Sequence, residues 1–227
     1  MHLSYRNNHS EYYLGNHRLE SVNEEKDLGI YITDNLKPTK QCQQAYYKAS
    51  RALGLIGRTI SYKSKAVLLR LYKTLVRPHV EYCISAWSPY YVKDKQLLER
   101  IQHRFTRMVP GLKSLPYEER LSCLGLWTLE ERRNRADLLE VFKMYKGLSL
   151  LHFNEFFKTS SVVVTRGHSA KIENQRCQLD LRRQFFSERV VNRWNSLPQH
   201  VIDAGSINGF KNAIGKLRCT QMGLFMD

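Results

Sequence analysis

Asp94-Lys95-Gln96-Leu97-Leu98-Glu99-Arg100-Ile101-Gln102-His103-Arg104-Phe105-Thr106-Arg107-Met108-Val109 is the stretch on which the fold class turns. Leu97, Leu98, Ile101, Phe105 and Met108 recur at three- and four-residue steps, the period of a helix with one apolar face. Pro110-Gly111 supplies the stop. Arg100, His103, Arg104 and Arg107 recur at the same steps on a second line, clear of the apolar one. One helix thus presents both a core face and a basic ridge.

The same period extends outward in both directions. After Pro38, Cys42, Ala45, Tyr46, Ala49, Leu53 and Ile56 predict a helix that stops at Gly57. Leu68, Leu71, Tyr72 and Leu75 predict a second, with a kink or break at Pro78, because proline removes a donor and crowds the preceding turn. Val80, Cys83, Ile84 and Trp87 resume the pattern up to Ser88-Pro89. Downstream, a short helix is predicted over 117–124. Another begins at Thr128 and Glu131, spaced as a capping box, buries Leu138, Val141, Phe142 and Tyr145, and ends at Gly147. Residues 148–181 read as loops, with a short extended run at Val162-Val163-Val164. Leu181 to Asn195 reads as one helix with Phe186, Val190 and Trp194 in line. Ser206 caps a last short helix with Phe210, Ile214 and Leu217, and the tail from Cys219 is expected to fray.

Only the start reads as β structure. Residues 10–14 and 17–20 flank Gly15-Asn16 as a tight hairpin, and Asp27 to Ile32 reads as a further strand ended by Asp34-Asn35. The predicted fold class is mainly α: a helical bundle behind a small N-terminal antiparallel β element. Three regions follow, 1–35, 36–147 and 148–227.

Charge is the strongest global signal. The net charge is +15, from 36 Lys and Arg against 21 Asp and Glu. Residues 1–34 hold three of the basic and six of the acidic residues, a net of −3, which leaves +18 on the rest. Such a body repels itself unless a polyanion neutralises it, and phosphate is what Lys and Arg neutralise in nucleic acid. Besides the ridge at Arg100, His103, Arg104 and Arg107, Lys48 and Arg51 continue a line from Lys37 and Lys40 through Gln44. A third line joins Arg182, Arg189 and Arg193. The blander reading of any one such line is a solvated helix face; three of one sign favour a surface that follows a phosphate backbone without reading bases.

Other chemistries lack a nominating pattern. There is no adjacent Asp pair of the kind that two-metal catalysis draws on, no CxxC, no zinc spacing, no Gly-rich phosphate loop and no nucleophile elbow. The doublets Glu118-Glu119 and Glu130-Glu131 sit at predicted helix starts, where acids favour the dipole. Cys42, Cys83, Cys123, Cys177 and Cys219 read mostly as small buried apolar groups, and Trp87, Trp127 and Trp194 as core rather than stacking platforms. No apolar run approaches the roughly 20 residues needed to span a bilayer, and Met1 to Arg6 does not resemble a secretory leader. An intracellular protein of nucleus or cytoplasm is expected, neither secreted nor membrane-bound, with no small-molecule substrate.

A set of motifs resembles one family. Asp27-Leu28-Gly29-Ile30, then Gln41-Cys42 and Ala45, then the long run Leu71-Tyr72-Lys73-Thr74-Leu75-Val76-Arg77-Pro78-His79-Val80-Glu81-Tyr82-Cys83, then Trp87-Ser88-Pro89, are similar to the jockey-like LINE reverse transcriptases of non-LTR retrotransposons. The likeness continues through residues 98–104 and 129–133 and through Thr165-Arg166-Gly167-His168. It runs on in Arg183, Phe185-Phe186-Ser187, Arg189-Val190, Trp194-Asn195 and Leu197-Pro198. It covers roughly residues 1–217. The resemblance implies that 1–35 is the end of a palm, with a hairpin that grips the primer end. Residues 36–147 would be a thumb that clamps the template–primer duplex, and the remainder a C-terminal region. It also implies that the metal-binding aspartates of such an enzyme lie upstream of Met1. No catalytic residue and no metal ligand is therefore carried over to this chain, and the two Mg ions are expected only for a full-length enzyme. The expected residual role is sequence-independent binding of an RNA–DNA hybrid or other duplex through Lys48, Arg51, Arg100, His103, Arg104, Arg107, Arg182, Arg189 and Arg193. The rival expectation is a structural or protein-interaction remnant whose basic residues pair within the fold.

Overall fold

A computed structural model describes residues 1–3, 7–160, 167–220 and 223–226. The fold is mainly helical, with two small antiparallel hairpins at the start. It divides into two compact units, Met1–Leu126 and Trp127–Asp227. The run Val162 to Val164 lies outside the described residues.

The first hairpin pairs β1 (Tyr13–Leu14) with β2 (His17–Arg18) around Gly15-Asn16, as the turn residues require. The second corrects the expected single strand. β3 (Glu24–Asp27) pairs with β4 (Ile30–Thr33), and Leu28-Gly29 is the turn between them. Both turn residues have positive φ, 45° and 88°, as a two-residue turn matched to strand twist demands. Leucine is a rare occupant of that position, and the Tyr82 hydroxyl donates to its carbonyl at 3.0 Å.

Helix α1 (Thr39–Thr59) buries Cys42, Ala45, Ala49, Leu53 and Ile56. It runs through Gly57 instead of ending there. The bare Cα lets the Met108 side chain approach, since a Cβ at Gly57 would lie 3.3 Å from Met108 Cε. α2 (Lys65–Leu71) continues into a π-helical turn, Tyr72–Val76, and then α3 (Arg77–Glu81). Here the Arg77 N–H reaches back five residues to the Tyr72 carbonyl. The extra residue sets Pro78 in the first turn of the new helix, where its missing N–H has no duty. It also turns the apolar face: Val76 is buried and Leu75, expected inside, is 51% exposed. The predicted continuation through Cys83 fails too. Cys83 has φ 48° and is exposed, and only a short α4 (Ile84–Trp87) follows. The Trp87 indole N–H donates to the Tyr82 carbonyl freed at this break, at 2.7 Å. α5 (Val92–Met108) buries Leu98, Ile101 and Phe105, and α6 (Tyr117–Leu124) follows. Cys42 is buried, but Cys83, Cys123 and Cys219 are exposed, against the expectation for small apolar groups.

In the C-terminal unit, α7 (Leu129–Tyr145) opens on the predicted capping box. The Glu131 N–H donates to Thr128 Oγ1 at 3.1 Å, and the Thr128 N–H to Glu131 Oε2 at 2.9 Å. Leu138, Val141 and Phe142 pack against α13 (Ile207–Thr220), where Phe210 stacks on Phe142 with ring centroids 4.1 Å apart. Ser206 caps α13 by accepting from the Gly209 N–H at 3.0 Å. α13 is longer than expected, and the end of the chain does not simply fray. Phe225 is buried, and Asn134 Nδ2 donates to its carbonyl at 2.7 Å. The single helix predicted over 181–195 is three short ones after α8 (Phe153–Phe156): α9 (Asp180–Arg183), α10 (Phe186–Arg189) and α11 (Val191–Asn195); α12 (Gln199–Ile202) follows. The Gln184 carbonyl, freed at the first break, accepts from Arg189 Nη1 at 3.0 Å.

His168 locks this unit. Its Nδ1 accepts from the Ala170 N–H at 3.2 Å, so Nε2 carries the proton toward the Trp194 carbonyl at 2.9 Å. The Trp194 indole donates to the Ala170 carbonyl at 2.7 Å, and Asn195 exchanges two 2.8 Å bonds with the Ile172 backbone. Burial, with Lys171 adding to it, holds His168 below the usual imidazole range despite the opposing Trp194 bond. The unfolded chain therefore binds the extra proton first. Stability from this lock is fully present above about pH 6.5 and lost as pH falls through the lower folded value. Urea melts of wild type and His168→Gln should accordingly diverge least in mild acid, because the wild type alone weakens there.

Candidate nucleic-acid interface

Two pairs of contacts orient the helices that carry the N-terminal basic residues. Thr39 Oγ1 donates to Asp94 Oδ2 at 2.7 Å where α1 and α5 begin, and Gly57 meets Met108 where they end. The helices therefore run side by side in the same direction. Arg100, Arg104 and Arg107 are exposed along about 10 Å of α5. None of the three has an ion-pair partner among the described residues. Of the nearby carboxylates, Glu99 accepts a short hydrogen bond from Tyr117, while Glu118 and Glu119 are exposed on α6, Glu118 within electrostatic reach of His103.

His103, the fourth member of this ridge, has another role. Its ring stacks on Tyr117 at 3.6 Å and 18°. Burial, Arg120 and Arg107 together push its imidazole below the usual range, with Glu118 opposing. That shift disfavours the charged form of the ring, so His103 does not reinforce the arginines as the spacing suggests. A buried network anchors the ridge from behind: Tyr72 donates to Gln102 Oε1 at 2.8 Å, and Gln102 donates to the Tyr117 hydroxyl at 3.1 Å. Burial and Glu99 raise Tyr117 far above ordinary tyrosine, so its proton stays in place.

Lys48 and Arg51 do not extend this ridge. Thr39 and Gly57 are about five turns apart and share one line of α1, the line that touches α5. Lys48 lies midway and about half a turn round from it, so it faces away from α5. With Arg51 it borders His79 of α3, whose imidazole is lowered by burial, then by Lys48 and Arg51. The rest of the expected α1 line is partly engaged: Lys40 pairs with Glu24 at 2.9 Å, and Lys37 Nζ lies 6.0 Å from the centre of the Tyr91 ring.

The third expected line is engaged within the C-terminal unit. Arg189 makes a forked pair with Asp137, at 2.8 Å through Nε and 3.0 Å through Nη2, with both side chains largely buried. Arg182 pairs with Glu188 at 3.2 Å, and Arg193 Nη1 donates to the Arg189 carbonyl at 3.4 Å. Arg189 is thus committed to a buried pair, whereas Arg182 keeps an exposed side chain. Reading along the chain missed Arg120, which is buried under the α5 ridge; nothing in its spacing distinguishes it.

Among the described residues, no three His, Cys, Asp or Glu side chains come together as a metal site, and no helix is long and apolar enough to cross a membrane. Trp87 and Trp194 are core, as expected, and Trp127 lies half-buried beneath Arg135 and Arg218. No protein family, curated protein or solved structure matches this chain.

Proposed function

We propose that the N-terminal unit grips duplex nucleic acid, an RNA–DNA hybrid above all, along the arginine ridge of α5, as the thumb-like part of a retroelement reverse transcriptase. The reading assigns this stretch a grip on the backbone and no chemistry of its own. One observation carries it: Arg100, Arg104 and Arg107 stand exposed in a row, without internal partners among the described residues, on a chain of net charge +15. A duplex offers one negative charge per about 1.7 Å of axis, so a 10 Å row of cations meets phosphate wherever it is laid. Guanidinium suits phosphate because its planar fork donates two parallel hydrogen bonds. The retroelement context comes from the motif resemblance, which places a duplex clamp in this part of the chain. The buried pair with Asp137 favours a structural role for Arg189, and the proposal leaves out Arg182, Arg189 and Arg193.

Backbone contacts carry no sequence information. Two labelled RNA–DNA hybrids of unrelated sequence should therefore bind with dissociation constants within about threefold of each other. A preference of about 1,000-fold, the lower edge of specific recognition, would overturn the reading.

A further inference from the structure

We propose that the junction of α5 and α6 is a phosphate subsite, in which the buried Arg120 and the exposed Arg107 together hold one oxyanion. The inference rests on the ridge reading above and adds a fixed anchor to it. Arg120 is 3% exposed. Its Nη1 donates to the His103 carbonyl at 3.2 Å and to Thr106 Oγ1 at 2.9 Å, and its guanidinium lies 5.4 Å from the centre of the Tyr117 ring. Nε is buried with no hydrogen-bond partner. No carboxylate lies within ion-pair distance among the described residues.

Two other arginines of this chain are built differently. Arg189 has Asp137, and Arg218 has Glu131 at 2.6 Å and 2.9 Å. A buried charge without a counter-charge is the costly arrangement. Arg120 is held in it by two neutral acceptors and an aromatic ring, which fix a donor and leave its charge unspent. Arg107 follows Thr106, the residue that Arg120 grips, on the helix whose His103 ring covers Tyr117; both arginines act on that ring, with the Glu118 carboxylate opposing them. A tetrahedral oxyanion supplies the missing negative charge and accepts from both guanidinium groups at once. Its source is either a phosphodiester of a bound duplex or free phosphate.

Inorganic phosphate is the first probe, added to the whole chain against sodium chloride at equal ionic strength. Phosphate should shift the His103 ring signals in NMR with saturation in the millimolar range, where chloride does not. Arg107→Ala, a surface change, should weaken that saturation about tenfold, while Arg58→Ala leaves it unchanged. An RNA–DNA hybrid should displace the phosphate. Equal responses to phosphate and chloride, or undiminished phosphate binding by Arg107→Ala, would overturn the subsite. Duplex binding without a phosphate-specific response contradicts the subsite and leaves the ridge reading standing. Saturable phosphate binding without any duplex binding supports the subsite and sinks the ridge reading.

Discussion

Asp137→Ala is expected to lower the stability of the C-terminal unit by roughly 3–5 kcal/mol, the usual cost of stranding one member of a buried ion pair. The Asp137 side chain is 3% exposed and that of Arg189 13%, so neither charge has water to fall back on. Removing the carboxylate leaves the guanidinium with the Gln184 carbonyl and with Arg193 as a near neighbour of like charge. Domains hold only about 5–15 kcal/mol in total, so a large share of the margin would go. Urea unfolding followed by tryptophan fluorescence measures it. Arg182→Ala is the internal contrast: its pair with Glu188 leaves Arg182 47% exposed, and the expected change is within about 1 kcal/mol. A loss below about 1 kcal/mol for Asp137→Ala would mean that this unit does not depend on the pair.

The second large effect is on binding. The triple change Arg100→Ala, Arg104→Ala and Arg107→Ala should weaken binding to an RNA–DNA hybrid on the order of 100-fold at 0.1 M salt, because each lost phosphate contact forfeits its counterion release. The fold should survive, since all three side chains are exposed and outside the core. Lys48→Ala with Arg51→Ala tests the geometry. These two residues face His79 rather than α5, so the loss should stay within a few-fold. Equal losses from the two sets would mean that the ligand wraps both flanks of the unit.

The contrast between those sets shows what the sequence could and could not reveal. Period and caps located α5, α6 and α7 to within a residue or two, because an apolar face, Pro110-Gly111 and the Thr128–Glu131 box are local signals. The Leu28-Gly29 turn was hidden because leucine rarely takes positive φ and sat inside an apolar run. The π-turn was foreshadowed by Pro78, but its direction was not, so Leu75 and Val76 exchanged places. For the site, periodicity fixes a residue only about its own helix axis. It aligned Lys48 with Gln44 and Arg51 but could not show which flank of α1 meets α5. Nor could spacing show that Arg189 finds Asp137, 52 positions away, while Arg100, Arg104 and Arg107 find no carboxylate among the described residues.

Fluorescence anisotropy of the purified chain with a labelled RNA–DNA hybrid, between 50 and 200 mM salt, tests the central claim. Three ridge contacts predict micromolar or tighter binding at the low end and a log–log slope of about −3, near −0.9 per phosphate neutralised. No binding at 50 mM, or binding that ignores salt, would contradict a grip made by arginines on phosphate.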